Sequence, residues 1–204
     1  MNTEAKFDVP EGRSPVSGHG YCETMARAPL DQGLVHVYTG DGKGKTTAAL
    51  GMALRALGWG LRVCFIQFIK GYSNIGEMKI APSFEGQFEI RQFAIDLSRS
   101  IDEAKILARR EAAEEAMRFA ESMVASGEFD LVVLDEINVA IHYGLIDIKR
   151  VLALISSKPK QVELVLTGRN AKREIIDAAD YATEVRKLKH PYDKGIPARK
   201  GIDY

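Results

Sequence analysis

The chain has 204 residues, with Lys+Arg and Asp+Glu balanced at 28 each and a hydrophobic share of 46%. That is enough for one domain with a real core, and the lack of a basic field argues against a nucleic-acid partner. No apolar run approaches the roughly 18 residues of a membrane span. No charged-then-apolar leader opens the chain, and the two cysteines have no disulfide or metal spacing, so a cytoplasmic protein is expected.

Residues 1–32 carry Pro10, Gly12, Pro15, Gly18, Gly20 and Pro29 without periodicity and are expected to form a mobile arm. From residue 33 to 204 strands and helices alternate as one nucleotide-binding catalytic domain, the C-terminal tail included. Candidate strands are Leu34–Thr39, Arg62–Phe68, Gln87–Phe93, Asp130–Leu134, Gln161–Thr167 and Thr183–Lys189. Near-continuous apolar runs such as Val132-Val133-Leu134 fit strands covered on both faces of a mostly parallel sheet. The clearest helix spans 101–126, with a Ser100/Glu103 capping box, a core face including Ala104, Leu107 and Ala108, and Gly127 as its stop. Asp147 and Asn170 are expected N-caps of later helices. The site should lie at the carboxyl ends of the strands.

The first strand runs into Gly40-Asp41-Gly42-Lys43-Gly44-Lys45-Thr46-Thr47, and a helix-like stretch follows. Strand, glycine loop, Gly-Lys-Thr and helix make up a phosphate-binding loop. Glycines let N–H groups converge on an anion, and the helix adds its free N–H groups and dipole. Lys45 would reach phosphate oxygens, and Thr46 would stand where a phosphate-bound Mg²⁺ can be ligated. The general pattern wants glycine where Thr39 stands, so the loop is atypical.

Asp130-Leu-Val-Val-Leu-Asp135-Glu136 is an apolar strand ending in two carboxylates. On a strand beside the loop strand, one of them would hold Mg²⁺ near Thr46. Gln67-Phe68-Ile69-Lys70-Gly71 and Thr167-Gly168-Arg169 follow two other strands. Lys70 and Arg169 there could contact a polyphosphate or the acidic groups of a second substrate. The polar tail after Val185 reads by default as disordered.

Together these segments, in order from Leu34 to the terminal Gly201-Ile202-Asp203-Tyr204, resemble the ATP:corrinoid adenosyltransferases of the phosphate-loop type. Other matching pieces are Lys189-His190 with Asp193 and Gly195, and Thr39 itself is what that family shows. The resemblance implies a RecA-like P-loop fold with helices on both sheet faces, often as a homodimer. It implies ATP as co-substrate, lying reversed relative to ordinary P-loop enzymes, with Mg²⁺ or Mn²⁺. The implied reaction is attack of a Co(I) corrinoid on C5′ of ATP with triphosphate leaving, the electrons for Co(I) coming from a flavoprotein reductase. Lys45, Thr46 and Glu136 would be the catalytic residues, Thr46 and Glu136 the metal ligands, Gly40 to Thr47 with Arg169 the ATP site, and Phe93 with Lys70 the corrinoid side. One departure stands out. The family carries a Gly-Phe-Thr-Trp-like stretch after the third strand, whereas this chain has Gln92-Phe-Ala-Ile-Asp-Leu-Ser98 without Trp, leaving Phe93 to substitute. Two rivals remain: an ordinary P-loop ATPase or small-molecule kinase releasing ADP, and a nucleotide-dependent regulator that binds a corrinoid without adenosyl transfer.

Overall fold

The computed structural model describes residues 27–69, 74–93 and 103–204. In chain order the elements are β1 (Val35–Thr39), α1 (Lys45–Gly58), β2 (Val63–Gln67), α2 (Gly76–Ile80), β3 (Phe88–Gln92), α3 (Glu103–Ser126), β4 (Leu131–Asp135), α4 (Ile137–His142), α5 (Ile148–Ser157), β5 (Glu163–Thr167), α6 (Arg173–Asp177) and β6 (Tyr181–Glu184). The strands form one six-stranded sheet in the order β3-β2-β4-β5-β1-β6. Every pairing is parallel.

The period-2 geometry of a strand sends alternate side chains to opposite faces, and two apolar layers result. On one face Val63, Phe65, Leu131, Val133 and Val165 pack against Ala49, Ala53, Ala56 and Leu57 of α1. On the other, Val35, Val37, Cys64, Ile66, Val132, Leu134, Leu164 and Leu166 meet the buried sides of α3, α4, α5 and α6. All five residues of β2 and of β4 are buried, as expected for central strands covered on both sides. Among the described residues no helix is long and apolar enough to cross a membrane.

Several expectations need correction. The buried stripe of α3 is Ala113, Ala116, Met117, Ala120 and Val124, not Ala104, Leu107 and Ala108. A 24-residue helix is about 36 Å long, twice the span of a five-residue strand, so its first turns overhang the sheet and Leu107 is 58% exposed. The expected cap Ser100 lies outside the described residues. Asp147 does cap α5, accepting from Lys149 N–H at 2.9 Å. Asn170 does not cap α6, whose N-cap is Lys172. β6 begins and ends earlier than expected, because Val185 already leaves the sheet to bond with the glycine loop. Finally, β4 is not beside β1: β5 lies between them.

Of the arm expected over residues 1–32, residues 1–26 lie outside the described residues. Arg27 reaches the foot of β4, where its guanidinium bonds both carboxylate oxygens of the buried Asp130 at 2.9 and 3.1 Å.

Candidate active site

The carboxyl end of the sheet is a row of buried polar groups. Gln67 ends β2, Asp135 ends β4 and Thr167 ends β5, and all three are fully buried. The register pairs Gln67 with Gln92 on one side and with Asp135 on the other. Burying polar groups costs free energy unless they are bonded, and here they bond to one another. Gln92 Nε2 donates to Gln67 Oε1 at 2.7 Å, and Gln67 Nε2 donates to Glu77 at 3.1 Å. Asp135 Oδ1 accepts from the hydroxyls of Thr46 at 2.9 Å and Thr167 at 2.7 Å.

Thr46 reaches Asp135 although β5 separates their strands, because it rides on the first turn of α1, above the strand ends. Gly44 precedes that helix at φ 128°, a conformation open to glycine, and no side chain caps the helix start. The first N–H groups of α1 are thus available to an anion. Lys45 is only 6% exposed. Its ammonium curls back on the loop and donates to Gly40 O at 2.8 Å and Gly42 O at 2.7 Å. Burial pushes its pKa below the ordinary value, Arg169 adds to this, and Glu136 and Asp41 oppose it. Glu136 follows β4 in a left-handed conformation, φ 65°, and heads α4.

These groups line a cleft of about 880 Å³. Gly42 to Thr47, Glu136 and Arg169 form one part of it, and Asn74 to Glu77 another. Gly40 and Asp41 sit behind the loop instead of lining the cleft. Gly40 serves Lys45 through its carbonyl, and the Asp41 carboxylate accepts Lys187 N–H at 3.0 Å, which lowers its pKa. The Gly42 N–H is taken by Val185 O at 2.7 Å.

The remaining wall comes from the tail, which is ordered against the loop and not disordered as expected. Past β6 the chain wraps behind the loop, and His190, Pro197, Ala198 and Gly201 to Tyr204 face the cleft. Lys43 pairs with Asp203 at 3.3 Å, and Asp203 also accepts Arg199 N–H and Nε at 2.9 and 3.2 Å. The Arg199 backbone and side chain, with Lys43, bring the Asp203 pKa down to about 2. The sequence signals for this wall were the tail pieces of the resemblance, Lys189-His190 with Asp193 and Gly195 and the terminal Gly-Ile-Asp-Tyr.

Of the two residues expected on the corrinoid side, Phe93 is not among those lining this cleft. Phe93 lines a second cavity of about 570 Å³ with Arg91, Arg118 and Phe119. Its ring centroid lies 5.7 Å from that of Phe119. Lys70 lies outside the described residues.

Comparison with known proteins agrees with this picture. The sequence profile of the family ATP:corrinoid adenosyltransferase BtuR/CobO/CobP matches residues 31–204. A corrinoid adenosyltransferase of Pseudomonas aeruginosa is 37% identical over 183 residues, 89% of each chain. One from Escherichia coli K12 is 36% identical over 180 residues, covering 88% of this chain and 90% of that one. The corrinoid adenosyltransferase CobA of Salmonella typhimurium is 35% identical over the same shares. Among solved structures, the flagellar accessory protein FlaH of Methanocaldococcus jannaschii matches with a TM-score of 0.50 at 11% identity, over 76% of this chain and 72% of that one. That likeness concerns the RecA-like P-loop fold alone.

Proposed function

The chain belongs to the ATP:corrinoid adenosyltransferase family, and from that premise we propose how its residues divide the work. The reaction is ATP-dependent adenosylation of a corrinoid. The 5′-deoxyadenosyl group passes to cobalt as the Co(I) electron pair forms the Co–C5′ bond, and the C5′–O pair leaves on triphosphate. Co(I) is a strong nucleophile, so the protein needs no general base. Its tasks are to hold the two reactants in line, to stabilise the departing polyanion and to keep water out.

The observation that carries the reading is the convergence of Lys45, Thr46, Glu136 and Arg169 on one cleft at the start of α1. Lys45 and Arg169 would meet the triphosphate, with Lys45 exchanging the Gly40 and Gly42 carbonyls for phosphate oxygens. The N–H groups at the start of α1 would bind the same anion. The oxygen donors beside the loop, the Thr46 hydroxyl and the Glu136 carboxylate, suit Mg²⁺, which takes few protein ligands and keeps its waters. When bound, that ion would neutralise charge on the leaving group. The tail would close the cleft from above and exclude water. Phe93, in its own cavity beside Phe119, would act as the apolar wall against the lower face of the corrin ring, with Lys70 as a second corrinoid contact.

Four further parts of this reading are what the family resemblance of the sequence implies: Mg²⁺ as the cation, a flavoprotein reductase as the source of electrons for Co(I), a homodimer and a cytoplasmic setting. The deciding experiment is product analysis with ATP, Mg²⁺ and chemically reduced cobalamin. A Co–C corrinoid with inorganic triphosphate is expected. ADP with an unmodified corrinoid would move the protein to the kinase or ATPase class.

A further inference from the structure

Thr167 ends β5, the strand lying between β4 and β1, and is fully buried. An ionised carboxylate only accepts hydrogen bonds and a backbone N–H only donates them. The hydroxyl of Thr167 therefore has one arrangement, donating to Asp135 Oδ1 at 2.7 Å and accepting from Glu136 N–H at 2.9 Å. Asp135 Oδ1 also accepts the Thr46 hydroxyl at 2.9 Å. A continuous path thus joins Thr46, Asp135, Thr167 and the backbone of Glu136.

Glu136 is where this path has an effect. Its φ of 65° and ψ of 19° lie in the left-handed region, which a residue with a Cβ keeps only where its surroundings hold it. Two sets of bonds do so. Its carbonyl accepts Val139 N–H at 3.1 Å and Ala140 N–H at 3.2 Å in the first turn of α4, while its N–H is fixed by Thr167. With both peptide groups held, the direction in which the Glu136 side chain leaves the backbone is set. The residue that follows β5 permits this closeness. A Cβ on Gly168 would lie 3.1 Å from Val139 N and 3.1 Å from Asn138 Cβ, and its φ is 126°. Packing alone would be served as well by valine, which has the shape of threonine but no hydroxyl.

Resting on the assignment of Glu136 and Thr46 to the nucleotide-bound cation, we propose that Thr167 is a positioning residue for that pair. Its hydroxyl orients the Asp135 carboxylate toward Thr46 and holds Glu136 in the left-handed conformation that aims its carboxylate into the cleft. The Thr167-Gly168-Arg169 segment then has three tasks: orienting the cation ligands, allowing β5 to approach α4, and reaching the polyphosphate.

The test is calorimetric titration of ATP into the whole chain, with Mg²⁺ and with EDTA, so that no turnover is needed. In Thr167→Val the Mg²⁺-linked gain in ATP affinity should fall about tenfold, the scale on which groups orienting metal ligands act. Thr167→Ser should restore it, and affinity in EDTA should be the same in all three proteins. Glu136→Gln combined with Thr167→Val should lose less of the Mg²⁺-linked gain than the two single losses added together, because part of the Thr167 effect runs through Glu136. The Glu136 amide should exchange slowly with solvent in the wild type and in Thr167→Ser. Should Thr167→Val fail to fold, Thr167→Cys, with its weak S–H donor, should give an intermediate loss of the Mg²⁺-linked gain. A less heat-stable Thr167→Val that keeps the whole gain would overturn the proposal while leaving the cation site standing. A wild-type ATP affinity indifferent to Mg²⁺ would overturn both.

Discussion

The Lys43 ammonium lies 3.3 Å from the Asp203 carboxylate, so the tail is tied to the phosphate-binding loop at the entrance of the cleft it helps to enclose. The Lys43 end of the pair is open to solvent, which screens the attraction, so the pair acts as a clasp more than as a support of the fold. Asp203→Asn should weaken ATP binding by about two- to fivefold, with at most a small fall in melting temperature at neutral pH. The difference between wild type and variant should shrink at high salt. An ATP titration at two ionic strengths checks this, and equal affinities at low salt would rule the clasp out.

Protonation checks the other contacts of the same carboxylate, those with Arg199. The Asp203 pKa in the fold is about 2, below the ordinary 3.8. A depressed carboxylate binds its proton less readily in the folded than in the unfolded chain. Its contribution is therefore complete above about 3.8 and is lost as pH falls through about 2. An NMR titration of the Asp203 carboxyl should show its midpoint near 2, and the tail contact should be insensitive to pH between neutrality and 5. A midpoint at the ordinary value would mean that the Arg199 contacts do not persist in solution.

Lys45→Ala should lower adenosylation by about 10²- to 10³-fold, the scale of losing one preorganised group at a developing charge. The circular dichroism spectrum should be unchanged. Because burial lowers the Lys45 pKa, ATP affinity of the free enzyme should begin to fall on the alkaline side before the ordinary lysine value is reached. Normal turnover by a folded Lys45→Ala protein would remove Lys45 from the site.

Glu136→Gln and Asp135→Asn should fail in different ways. Glu136 lines the cleft, so its variant should lose Mg²⁺-dependent ATP affinity and keep its melting temperature. Asp135 is buried, with Oδ1 accepting two hydroxyls. Its amide variant presents a group that can leave a donor facing a donor, at a stability cost of about 1–3 kcal/mol. Magnesium titrations paired with thermal melts separate the two, and a reversed order would exchange their roles.

Phe93→Ala tests the corrinoid side. An apolar wall that excludes the lower axial ligand makes Co(II) easier to reduce, because a hydrophobic shell controls access and potential. The variant should weaken the four-coordinate Co(II) signature and slow adenosylation from Co(II), sparing the reaction begun with chemically generated Co(I). Equal impairment with both cobalt states, together with a lower melting temperature, would instead assign Phe93 to packing on Phe119.

Much of this was written locally. A glycine loop between an apolar strand and a helix names its own geometry, because positive φ at Gly44 and free N–H groups at a helix start follow from residue types a few positions apart. The buried strands β2, β4 and β5 were equally legible, since strands covered on both faces must be apolar throughout. α3 was harder. Its spacing shows a helix, but which part of that helix meets the sheet depends on the length of the sheet.

The sequence by itself determined the strands of the sheet, the helices α1 and α3, the phosphate-binding loop, the paired carboxylates at the end of β4 and the resemblance that Gly201 to Tyr204 completes. Only the tertiary structure decided that β5 stands between β4 and β1, making Thr167 the link between Asp135 and Glu136. It also decided that the polar tail is a wall of the cleft, held by Val185 on Gly42, Lys187 on Asp41 and Asp203 on Lys43. The reason is the range of the forces involved. Periodicity, capping and turn chemistry act over a few residues and leave their mark in the local sequence. Strand order and the partners of Thr167 and Asp203 depend on groups that only the finished packing brings within hydrogen-bonding distance.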